Sequence, residues 1–134
     1  MHDAGNGLPG AIIGLPHFSK ASFLARFPFS YLDIGDSDLP LKVSITGWSP
    51  FIPGDDDNSS LPVAAMEYKF VNIGNSTVDA IFSFNAKNFL KVDDGRNSIS
   101  PWQNGFVLSE EGNKENPFRT DLAFYTDNDA TVVD

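Results

Sequence analysis

From Leu41 to Thr46 apolar and polar residues alternate without a break. Leu41, Val43 and Ile45 fall on one side of an extended chain, and Lys42, Ser44 and Thr46 on the other, because strand side chains alternate between faces. Val63 to Ile73 repeats the pattern, with Ala64, Met66, Tyr68 and Phe70 opposed to Ala65, Glu67 and Lys69. Thr77 to Phe84 continues it with Val78, Ala80, Phe82 and Phe84 inward. The short polar stretch Asn72-Ile73-Gly74-Asn75-Ser76 between these two runs predicts a hairpin. Upstream, Ser22 to Ile34 reads as one extended run with Phe23, Ala25, Phe27, Phe29 and Tyr31 on a single face. Pro28 interrupts its ladder and places it at a sheet edge or a bulge. Gly35-Asp36-Ser37-Asp38 is turn chemistry.

The second half is less regular. Asn85 to Asn97 is polar and contains Asp93-Asp94-Gly95, a turn. Ser98 to Ser109 is expected to hold one strand, Glu110 to Pro117 a charged turn, and Phe118 to Tyr125 another strand. Asp127-Asn128-Asp129 turns the chain into Ala130-Thr131-Val132-Val133, an incipient strand at which the sequence stops. The sum is about seven strands with turns between most of them, the pattern of an all-β antiparallel β-sandwich. The expectation is a sandwich domain over residues 21–134, a piece of something longer. Residues 1–20, rich in Gly and Pro, form an arm before it. No segment has helical periodicity.

One stretch breaks the pattern. Gly47 to Pro62 carries three prolines and two glycines, which exclude a helix and fix several backbone angles. Trp48, Phe51 and Ile52 favour burial, and Asp55, Asp56 and Asp57 follow them. A loop that is rigid, aromatic and acidic together is a functional or interfacial candidate.

Composition narrows the chemistry. The 134 residues suit one domain, with 41% hydrophobic residues and twelve Phe supplying large burial units. A net charge of −9, with no cluster of basic residues, excludes nucleic acid as a partner class. Without cysteine, disulfides, thiolate catalysis and cysteine zinc sites are excluded. No apolar run approaches a membrane span, and the start has neither the basic region nor the apolar core of a signal peptide. Cytoplasm and periplasm both remain open.

Candidate motifs are weak. Gly5-Asn6-Gly7-Leu8-Pro9-Gly10 matches a dinucleotide-binding pattern in letters only, since no strand precedes it and Pro16 would break the helix it must open. Asp55-Asp56-Asp57-Asn58 offers oxygen ligands for calcium, but the position that an EF-hand fills with Glu is Met66. A solvated acidic loop, or one that caps backbone groups of a neighbouring domain, is the preferred account. Asp127-Asn128-Asp129 is read the same way. Glycosidase chemistry needs two facing carboxyl groups; Glu67 with Asp57 is one such pair on paper among many. His2 and His17 both lie in the arm. Trp48 and Trp102 can be read as a sugar-stacking surface or as core aromatics. Asn58-Ser59-Ser60 and Asn75-Ser76-Thr77 fit the glycosylation sequon.

Arg26-Phe27-Pro28-Phe29, Leu39-Pro40-Leu41-Lys42-Val43, and the run Trp48-Ser49-Pro50-Phe51-Ile52-Pro53-Gly54 with Asp55 to Val63 resemble the amino-terminal domain of glycoside hydrolase family 116. That family contains non-lysosomal glucosylceramidases and bacterial β-glucosidases. The resemblance extends to about Asn88 and is loose beyond Asn97. It implies a β-sandwich, incomplete at both ends in this fragment of a larger enzyme, packed on a following (α/α) barrel whose carboxylates are the nucleophile and acid/base. No catalytic residue transfers onto this chain, and no cofactor or metal is implied. The partners implied are the C-terminal catalytic domain of the same enzyme and a glycoside or glycolipid substrate of the parent. Interface or substrate-entrance candidates are Trp48, Phe51, Asp55, Asp56, Asp57 and Asn58; carbohydrate-stacking candidates are Trp48 and Trp102. The alternatives are a free-standing carbohydrate-binding module and a calcium-stabilised adhesion sandwich.

Overall fold

The computed structural model describes residues 18–86, 88, 96–111 and 120–127. They fall into two compact units, one up to Phe82 and the other from Ser83. The predicted arm, through His17, lies outside the described residues, as do Asp93-Asp94-Gly95, residues 112–119 and the expected strand Ala130-Thr131-Val132-Val133.

The chain is all-β and antiparallel. The first unit is a four-stranded meander of β1 (Lys20–Arg26), β2 (Phe29–Gly35), β3 (Leu41–Trp48) and β4 (Ala65–Asn72), hydrogen-bonded in that order. The second is a three-stranded meander of β5 (Arg96–Trp102), β6 (Gly105–Glu111) and β7 (Leu122–Tyr125).

The alternation of Leu41 to Thr46 gives β3, and its register sets the faces of the first sheet. Val43 pairs with Ile34 and Phe70, and Ile45 with Leu32 and Tyr68. Val43 is the buried centre of this inner face, at 5% exposure. Phe82 lies against it, with its ring 4.6 Å from Tyr68 and 5.7 Å from Phe70.

Three of the predicted strands differ in the structure. The run Ser22 to Ile34 is a hairpin, with Phe27-Pro28 as its two-residue turn; their peptide bond is cis. The proline does not dent a strand; it ends one. The reversal flips the faces: Phe23 pairs with Leu32 on the inner side, while Phe29 and Tyr31 pair with Arg26 and Leu24 on the outer side. Second, Thr77 to Phe84 forms no strand. Asn72 closes the turn by accepting from the Gly74 amide (2.9 Å) and donating to the Ser76 carbonyl (2.7 Å), and the chain then leaves the sheet edge. Third, Ser98 to Ser109 holds two strands. Gln103, in the left-handed region at φ 48°, and Asn104 make the tight turn between them.

In the second unit Leu108, at 7% exposure, centres a face that it shares with Ile99 and Leu122. Phe106 and Phe84 both contact Phe124, at 5.1 and 5.3 Å. Glu110, expected in a turn, lies in β6 and is buried at 1% exposure.

Candidate functional site: the β3–β4 loop and the sheet face beside it

The loop joins two neighbouring strands: β3 enters it at Trp48 and β4 leaves it at Ala65, which is Trp48's cross-strand partner. Its centre is not structureless. Asp56–Ser59 form one helical turn, which the prolines and glycines argued against. Pro50, Pro53 and Gly54 all precede the turn, and Asp55 starts it. The Asp55 carboxylate accepts from the Asn58 amide (3.0 Å) and from the Asn58 side-chain nitrogen (2.6 Å), an N-cap that satisfies donors left open at a helix start. These two bonds hold the Asp55 carboxyl below its ordinary pKa, the backbone donor contributing most.

Ser59 closes the structure from the other side. Its hydroxyl accepts from the Ile52 amide (2.9 Å) and donates to the Ile52 carbonyl (3.1 Å). The Asp55 amide also reaches Ile52 O (3.0 Å). Gly54, at φ +82°, supplies the left-handed residue this tight return needs. The three aspartates therefore have different positions. Asp55 is a local cap, while Asp56 and Asp57 are exposed in the first helical turn, where negative charge suits the helix dipole. Among the described residues no group of three or more His, Cys, Asp or Glu is placed to hold a metal ion.

The loop's apolar residues face solvent. Phe51 meets Phe27 edge-to-face at 4.7 Å but remains 47% exposed. Ile52, Leu61 and Val63 are each at least half exposed. Trp48 stands beside Phe29 on the outer sheet face, and Phe29 lies nearly parallel to Tyr31 at 6.3 Å. Trp102 is in the other unit, edge-on to Tyr125 at 5.6 Å. The two tryptophans thus belong to separate units with separate aromatic neighbours. Glu67 lies on β4 opposite Thr46, and Asp57 on the helical turn. Phe29 and Tyr31 were missing from the candidate residues because a single-strand reading put them inside; Pro28 was the signal of the reversal.

The fold is thus an open antiparallel β chain carrying an ordered, aromatic and acidic loop, the class the sequence pointed to. A family model described as beta-glucosidase 2, glycosyl-hydrolase family 116 N-term, matches residues 5–132, and the chain belongs to this N-terminal domain family. The match runs well past Asn97, where the residue-level resemblance is loose. No curated protein and no solved structure matches the chain. Among the described residues no helix is long and apolar enough to cross a membrane.

Proposed function

We propose that this chain is a non-catalytic β domain of a β-glucosidase or glucosylceramidase-like hydrolase that docks on, and supports, a catalytic domain of the same enzyme. The observation that carries this reading is the loop between β3 and β4. It is pinned by its own hydrogen bonds, yet it holds Phe51, Ile52, Leu61 and Val63 out toward solvent. Several exposed apolar side chains on one ordered loop fit an interaction surface. Phe51 and Ile52 are the anchors of the contact, and Asp56, Asp57 and Asn58 form its polar rim.

Family membership supports a catalytic domain of the parent as the partner; a glycoside or glycolipid as the parent's substrate is part of the proposal. Two measurements test the reading. The chain alone, assayed with an aryl β-glucoside, is expected to give no enzyme-like turnover; turnover would overturn the non-catalytic role. In the full enzyme, Phe51→Asp is expected to lower the melting temperature and weaken domain association. An unchanged melting curve would remove the loop from the interface.

A further inference from the structure

The outer face of the first sheet changes character along its length. At one end Asp33 and Ser44 are cross-strand partners bonded side chain to side chain, and Lys42 lies 4.0 Å from Asp33. These polar groups satisfy one another. Toward the loop, two successive cross-strand rows are different. One contains Arg26, Phe29 and Trp48; the next contains Tyr31, Thr46 and Glu67.

Directly opposed strand residues have neighbouring side chains, so three aromatics lie together on this face. Phe29, Tyr31 and Trp48 are 42%, 38% and 43% exposed, which leaves ring surface open on each. Phe29 and Tyr31 have ring planes within 22° of parallel. The polar groups around them are uncommitted: among the described residues the Arg26 and Glu67 side chains make no hydrogen bond or ion pair. One positive and one negative side chain flank the aromatics, so the patch is locally neutral on a chain of net charge −9.

Open aromatic faces ringed by free donors and acceptors, without net charge, complement a neutral ligand that is apolar on one side and rich in hydroxyls at its rim. A pyranose ring has this chemistry. Aromatic residues with a few placed polar groups are the general composition of a small-ligand site. We propose that the outer face of β2 and β3 is a carbohydrate-binding surface, with Trp48 and Tyr31 stacking on a pyranose and Arg26 and Glu67 bonding its hydroxyls. The choice of a glucose-based ligand rests on the family membership; the location of the site does not.

The test uses the whole 134-residue chain carrying Trp102→Phe, so that Trp48 is the only tryptophan. Cellotetraose is the probe and tryptophan emission the readout. Saturable binding with Kd on the order of 1 mM is expected. Trp48→Ala, followed by calorimetry, and Tyr31→Ala should each weaken it at least tenfold, while Tyr125→Ala in the other unit should leave it unchanged. No saturation at about ten times that concentration overturns the proposal, as does an equal loss in Tyr125→Ala. Should the alanine variants lose their β circular dichroism, Arg26→Gln and Glu67→Gln decide. A twofold or greater weakening in each supports the site, and unchanged affinity in both overturns it. The glucoside assay and the melting of the full enzyme report on domain docking separately, so either idea can fail without the other.

Discussion

Asp55 illustrates how one residue's role depends on what its oxygens touch. In a row of three aspartates it looked like part of a ligand cluster, but both its oxygens serve Asn58. Because its folded pKa is depressed below the ordinary 3.8, its contribution is fully present above that value and is lost as pH falls through the lower folded value. Acidification below about pH 4 should therefore lower the protection of the Asn58 and Ser59 amides relative to their unstructured exchange rates at the same pH, with an Asp55→Asn variant showing a flatter pH response. Hydrogen exchange followed by NMR measures this. Asp36 should titrate in the same direction, since the amides of Asp38 and Ser19 both donate to it at 2.9 Å. Gly105 is constrained by proximity instead: a Cβ there would run into the carbonyl of Phe124 and lie 2.6 Å from the Tyr125 Cα. Gly105→Ala should destabilise the second unit by about 1–3 kcal/mol, the usual range for forced overpacking, read as a lower urea midpoint.

At the scale of the element, β3 and β4 were legible because alternation and the turns around them agreed. The loop was correctly placed between two paired strands. The hairpin at Phe27-Pro28 was not, because aromatics at every second position continue the strand rhythm through the reversal. The strand predicted for Thr77 to Phe84 had the right rhythm, but the segment does not pair with the free edge of β4, and Phe82 packs its ring on Tyr68 and Phe70 instead. The tight turn before Gly105 was not legible, because its two central residues are Gln103-Asn104 and not one of the usual hairpin pairs, Gly105 being already in β6. The helical turn was hidden by nearby prolines, since a single capped turn needs no periodicity. Among these elements β1 has a free edge and every side chain exposed, whereas β3 is internal. The amides of β1 should exchange well before those of β3. Val43→Ala, at the centre of the sheet, should cost about 1.5–3 kcal/mol by urea unfolding, and Phe23→Ala, at 68% exposure, much less.

At the scale of the whole molecule, Val43 and Leu108 are the only large apolar residues buried among those described. Many large apolar side chains stay open, Ile81 almost completely, at 98%. Folded monomers seldom leave so many large apolar side chains open without a partner. The chain alone is therefore expected to bind an environment-sensitive apolar dye strongly, and the full enzyme to bind far less per molecule. Equal dye fluorescence from both would count against a covering domain. The candidate site was legible as a location, Gly47 to Pro62, from its unusual composition. Its division into an ordered loop and a separate aromatic sheet face was not, because that depends on which side of the sheet Phe29, Tyr31 and Trp48 reach.

The double grip of Ser59 on Ile52 has one more consequence. The eight residues from Ile52 to Ser59 are closed by their own atoms and not by the strands that carry them. Asp56 and Asp57 stand outside the closure, so their identities can drift through a lineage, or be chosen by an engineer, while the scaffold remains as it was. Ser59, Gly54 and Asp55 do not share that liberty, and a family of surfaces differing only at the two free positions could be displayed on one unchanged sheet.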